Sequence, residues 1–177
     1  RIQIVTCKGV NQAFQARIRT WTNEVLAKAQ PLSDIRVTIW ATIEELKGFY
    51  QRESKELGII TGEETDFLAT HEAWRGYPRI HICEQRLKGI PETVIQGAIH
   101  HEIAHALHHC SPEFYTFVFS KDLQETARSS GLELNFLQQC VYFVSIAIKD
   151  REIVQWLAEI GLGAGQLSLL DYLIADV

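Results

Sequence analysis

Methionine is missing altogether from the 177-residue chain, and cysteine and proline are scarce, at four residues each. Without a methionine, Arg1 is read as lying downstream of the translation start, and any targeting signal would have preceded it. Cys7, Cys83, Cys110 and Cys140 lie far apart with no C-x-x-C pair. They are too sparse for a disulfide scaffold and read as thiols of a cytoplasmic protein, although one or two bridges are arithmetically possible. A basic excess is lacking too: 17 Lys and Arg against 22 Asp and Glu give a net charge of -5, which removes the electrostatic reason to expect a nucleic-acid partner. No apolar run approaches the roughly 20 residues that span a bilayer, so no membrane partner is expected. The longest, at residues 141–148, is interrupted by Tyr142 and Ser145 and ends in Lys149-Asp150, as a buried helix would.

What remains is the composition of one globular domain, 46% hydrophobic and 22% charged, large enough to bury a core. Alternation predicts strands at residues 2–5 and 35–40. Phe14, Ile18, Trp21, Val25 and Leu26 recur at helical spacing within 11–29, and Pro31 ends that helix. Residues 43–57 read as a charged helix and 58–70 as a loop with room for one short strand. Arg79-Ile80-His81-Ile82-Cys83 mixes polar and apolar residues and reads as a strand at a sheet edge. Pro91-Glu92 opens a helix running to about His109. Further helices are expected over 112–128 and 133–160, followed by an apolar tail after Gly161. Strands precede helices and no repeat or long linker is present, so the expected class is α+β, one domain over residues 1–177.

The chemistry is concentrated in His101-Glu102-Ile103-Ala104-His105. H-E-x-x-H on a helix sets two imidazoles one turn apart, able to grip one zinc ion, with a carboxylate beside them to deprotonate a bound water. At 100° per residue, Val94, Gly97, Ala98, His101, His105 and His108 share one stripe, and Ile95, Ile99, Ile103, Ala106 and Cys110 the opposite one. The helix is thus apolar behind its histidines, while Gly97 and Ala98 leave room in front for metal and substrate. His108 lies about 10 Å along the axis from His101, too far to share its ion. His100 and His109 read as polar flanks.

Catalytic zinc keeps three protein ligands and a water. The extended pattern H-E-x-x-H-x-x-G-x-x-H fails, because His108 and Ser111 stand where its glycine and last histidine would be. On its motif the chain resembles the gluzincin branch of the zincin metallopeptidases, especially the minimal single-domain members, over residues 35–160. The resemblance implies a small mixed sheet whose edge strand leads into the motif helix, and a later helix supplying a glutamate ligand. Within Ile148-Lys149-Asp150-Arg151-Glu152-Ile153, Glu152 is the ligand expected, on a mixed stripe with Val141, Ser145, Ile148, Trp156 and Glu159. Asp150 is its rival: it projects with Phe143, Ile146, Ala147, Ile153 and Leu157, an acid on an apolar face that needs a partner there. Glu113, Glu125, Glu133 and Glu159 are further alternatives.

The resulting expectation is a Zn²⁺-dependent peptidase with His101, His105 and Glu152 as ligands and Glu102 as general base. A peptide or protein substrate would lie extended along residues 79–83, and Tyr115, Tyr142, His81 or His108 would stabilise the oxyanion. The tail at 161–177 would be a terminal helix on the core or, as the resemblance implies, a segment lying over the cleft. Two other functions compete. One is a zincin-like regulatory or binding protein with little general proteolysis. The other is a closed structural site using Cys110 or Cys140, against which Cys110 lies on the stripe opposite the histidines.

Overall fold

A computed structural model describes residues 1–58 and 67–175. The elements, in chain order, are β1 (Ile2–Thr6), α1 (Gln12–Leu26), β2 (Ile35–Trp40), α2 (Ile43–Leu57), β3 (Ala69–Glu72), β4 (Arg79–Cys83), α3 (Glu92–His108), α4 (Lys121–Ser129), α5 (Leu134–Glu159) and α6 (Gly163–Ala175). The fold is α+β, with a small mixed sheet ordered β1-β2-β4-β3 in which only β3 runs antiparallel. Local chemistry sets the boundaries. The Asn11 side chain accepts from the amides of Ala13 and Phe14 to start α1, and Thr42 and Glu45 form a reciprocal capping box for α2. Gly58 closes α2 at φ 65°, a conformation that side chains with a Cβ resist.

Strand parity sorts the core. Ile35, Val37 and Ile39 of β2, with Ile80 and Ile82 of β4, pack against Phe14, Ile18 and Val25 of α1 and against Ile95, Ile99 and Ile103 of α3. Trp40 and Cys83 face the other way, onto Leu46 and Tyr50 of α2. The isoleucine stripe of α3 is therefore the anchor that the periodicity predicts.

The strand Arg79–Cys83 is not at an edge. β4 lies between β2 and β3, and all five of its residues are buried. Its polar positions meet partners inside the fold. Arg79 donates to both carboxylate oxygens of Glu53 at 2.6 and 2.9 Å and stands 3.0 Å from Glu72. His81 Nδ1 accepts from the Trp40 indole at 3.1 Å, which leaves Nε2 to face Glu72 at 2.8 Å. Polarity that reads as exposure is an interior network, and the edge strand beside α3 is β3, whose only ladder partner among the described residues is β4.

The stretch expected as one helix over 112–128 is a single 3-10 turn at Pro112–Tyr115, an extended segment, and then α4. The apolar tail forms α6, packed on α3 through two glycines. A Cβ on Gly97 would strike the Gly165 carbonyl, and one on Gly165 would sit 3.1 Å from the Gly97 Cα. The space in front of Gly97 is thus filled by a helix and is not a substrate space. Leu169 completes the contact against Val94 and Ala98. In α5 only Ile153 and Leu157 are buried, and the part before them carries exposed Phe136, Phe143 and Ile148. Among the described residues no single helix is long and apolar enough to cross a membrane, and the four cysteines are unpaired.

Two measurements test this packing. Gly97→Ala, which in a free-standing helix would stabilise by about 1 kcal/mol, is expected to destabilise by about 1–3 kcal/mol in denaturant unfolding because α6 must move away. The second concerns acid. Burial alone would raise the Glu72 pKa, but the His81 hydrogen bond, the Arg79 charge and the Trp74 indole outweigh it and lower the carboxyl to about 2 from its ordinary 4.5. A depressed carboxyl stabilises the fold above its unfolded pKa and loses that contribution as pH falls through the folded one. Between pH 7 and pH 3 this group accounts for about 2 kcal/mol of lost stability, and Glu72→Gln should shrink the pH 7-to-3 difference in unfolding free energy by about that amount.

Candidate metal centre

α3 carries His101, Glu102 and His105 along the side facing α5 and α6. α5 crosses it where Ile153 and Leu157 insert against Ala104. Asp150 lies on the same helical stripe as those two anchors, one turn earlier, so the packing that buries them delivers the Asp150 carboxylate to the two histidines. Asp150 Oδ1 is 3.1 Å from His105 Nε2 and 3.7 Å from His101 Nε2, and the two Nε2 atoms are 3.0 Å apart. Glu152, off the stripe, is carried elsewhere: its Oε2 is 3.2 Å from His109 Nε2. The structure therefore brings together His101, His105 and Asp150, and not Glu152.

The outer nitrogens of both rings are engaged. Gln166, buried on α6, donates from its amide nitrogen to the Gly97 carbonyl at 2.8 Å, so its Oε1, 3.0 Å from His101 Nδ1, must accept. His101 Nδ1 thus carries a proton, and its Nε2 is turned inward, where the Asp150 carboxylate works against burial to raise the His101 pKa. His105 Nδ1 is 2.9 Å from His109 Nδ1. Two imidazole nitrogens and a carboxylate oxygen consequently face one another at 3.0–3.7 Å, bracketing the spacing of about 3.3 Å between ligands on a tetrahedral ion with bonds near 2.0–2.1 Å. Converging lone pairs require a positive charge between them. A proton satisfies one pair, whereas a metal cation satisfies all three, so these residues could hold a metal ion.

Electrostatics follow from burial. It pushes the His105 pKa down to about 4 against the opposing pull of Asp150, keeping the imidazole neutral and available as a ligand. The Asp150 carboxyl would be raised by burial but is held well below the usual carboxylate range by its hydrogen bonds to His101 and His105. Burial lifts Glu102 to about 7, offset in part by His101, and its carboxylate accepts the backbone N–H of His71 on β3. Beside the cluster opens a cleft of about 410 Å³ that reaches His101, Glu102 and Asp150 and is walled by Phe67, Leu68 and Leu173.

The four oxyanion candidates separate in space. The Tyr115 hydroxyl sits 2.9 Å from His71 Nδ1, and the His71 ring stacks on His105 with centroids 6.0 Å apart. His81 is on the opposite face of the sheet, His108 packs edge-on against Trp156, and Tyr142 is exposed beside Phe143. His100 and His109 are not polar flanks: both are buried, against Glu24 and Glu152 respectively. Sequence reasoning missed Gln166 and His71. Gln166 was legible only as a lone amide in an apolar segment, which must find a partner once buried; His71 adjoins a segment read as loop.

Neither family models, curated proteins nor solved structures match this chain. The donor set predicts one divalent cation per chain. Replacing His101, His105 or Asp150 individually with alanine should abolish tight binding in a chelator-competition titration, with the fold retained by circular dichroism.

Proposed function

We propose that this protein is a zinc-dependent metallopeptidase in which His101, His105 and Asp150 hold the metal and Glu102 is the general base. The observation that carries the reading is the set of three ligating atoms turned on one another beside the half-buried Glu102 carboxyl, at the mouth of an apolar cleft. Two imidazoles and one carboxylate are the donor set of open, catalytic zinc sites, and no cysteine is among them. Asp150 takes the place foreseen for Glu152, because the anchors of α5 present position 150 to the histidines.

Bound zinc would polarise the scissile carbonyl and acidify a water at its open position. The Glu102 carboxylate, oriented by the His71 amide, would take a proton from that water and return it to the leaving nitrogen. A pKa raised to about 7 by burial suits a group that must both accept and donate near neutral pH. Tyr115 and His71 stand on the cluster's sheet side, where a developing oxyanion would need a donor.

The substrate platform in this reading is β3, since β4 has both edges paired. The His71 N–H points to Glu102. Ladder alternation then turns the N–H and C=O of Ala69 outward too, where an extended peptide can bond them. Leu169, Leu170 and Leu173 of α6 line the adjoining cleft and would accept an apolar side chain.

Glu102→Gln should keep stoichiometric zinc and lose at least about 10²–10⁴-fold in cleavage of a pool of internally quenched peptides. A variant that still cleaves at the wild-type rate would refute the assignment.

A further inference from the structure

Glu152 and His109 are conspicuous because the proposed chemistry gives neither of them a role. His109 is 1% exposed, at the end of α3, and its ring bridges two groups: Nδ1 is 2.9 Å from His105 Nδ1, and Nε2 is 3.2 Å from Glu152 Oε2. Each contact constrains the next. An ionised carboxylate has only lone pairs to offer, so the His109 proton must sit on Nε2. His109 Nδ1 is then an acceptor, and the proton it accepts must be on His105 Nδ1. That leaves His105 Nε2 bare.

The alternative tautomer has a partner of its own. With its proton on Nε2, His105 would donate to Asp150 Oδ1, 3.1 Å away. This satisfies both groups in the absence of metal and blocks the lone pair that a cation needs. Asp150 therefore pulls His105 toward the closed tautomer and Glu152 pulls it, through His109, toward the open one. Gln166 performs the same selection on His101 by a different route.

We infer that Glu152 is a positioning residue that acts through His109 to hold His105 in its metal-accepting tautomer, so that a carboxylate outside the coordination sphere sets the affinity of the site. The inference rests on the metal reading given above, and it assigns Glu152 a role distinct from that of Asp150. Outer partners of ligand histidines typically contribute 10–100-fold in metal affinity. The Glu152 side chain is 57% exposed, so it can be replaced without opening the core.

The experiment compares wild type with Glu152→Ala, Glu152→Gln and Asp150→Ala, by zinc affinity in chelator competition and by imidazole ¹⁵N–¹H spectra of the metal-free proteins. Glu152→Ala should still bind one zinc, about 10–100-fold more weakly, and should move the His105 proton from Nδ1 to Nε2. Glu152→Gln, whose amide oxygen also accepts from His109, should restore most of the affinity. Asp150→Ala should lose tight binding while keeping the Nδ1 proton. An unchanged affinity and tautomer in Glu152→Ala overturns the inference. So does complete loss of zinc in Glu152→Ala with retention in Asp150→Ala, which would make Glu152 a ligand. Should wild type bind no zinc, the metal reading fails by itself, and the metal-free spectra still decide whether Glu152 selects the His105 tautomer.

Discussion

Three side-chain atoms turned on one another, from two histidines of α3 and an aspartate of α5, are the constraint around which this molecule is arranged. Such a focus needs a proton or a cation between its members, and it persists only where the surrounding groups hold the side chains in place. Here the choices are removed one by one. Gln166 occupies the outer nitrogen of His101, His109 occupies that of His105, and the stripe containing Ile153 and Leu157 fixes where Asp150 emerges. Every element after the sheet contributes to this focus or packs against one that does.

The terminal helix shows how packing and chemistry are linked. α6 approaches α3 closely because glycine stands on both sides of the contact, at Gly97 and Gly165. That approach brings the Gln166 amide within reach of both the Gly97 carbonyl and His101, and it places Leu169, Leu170 and Leu173 along the cleft. A segment whose apolar residues suggest mere core filling is a wall of the cleft and fixes the orientation of the His101 ring.

The charged network on the opposite face of the sheet has a comparable role at greater distance. Glu72 is pinned by Arg79 and His81 on one side of β3, and the next residue back, His71, projects to the other side against His105 and Tyr115. Because strand residues alternate between faces, fixing Glu72 fixes His71 as well. An edge strand of four residues has little packing of its own, and buried charge pairs supply the rigidity that a hydrophobic face would otherwise give.

The α+β class, the strands at 2–5 and 35–40, the helices over 43–57 and 133–160, and the division of α3 into an isoleucine back and a histidine front were all legible in the sequence, because each depends on periodicities of two and 3.6 that local residues carry. Asp150 was legible in the same way, as an acid on the apolar stripe of α5; the resemblance, which asks for a glutamate, drew attention to Glu152. Tertiary structure alone decided the rest. That Arg79 and His81 lie in a buried centre strand depended on Glu53, Glu72 and Trp40, none of them local. That His101 and His105 turn their Nε2 atoms inward depended on Gln166 and His109. Spacing along a chain specifies which side chains share a face, but not which partner from 40 to 70 residues away arrives to meet them. Hydrogen-bond acceptance and proton position are properties of that meeting, and so belong to the fold.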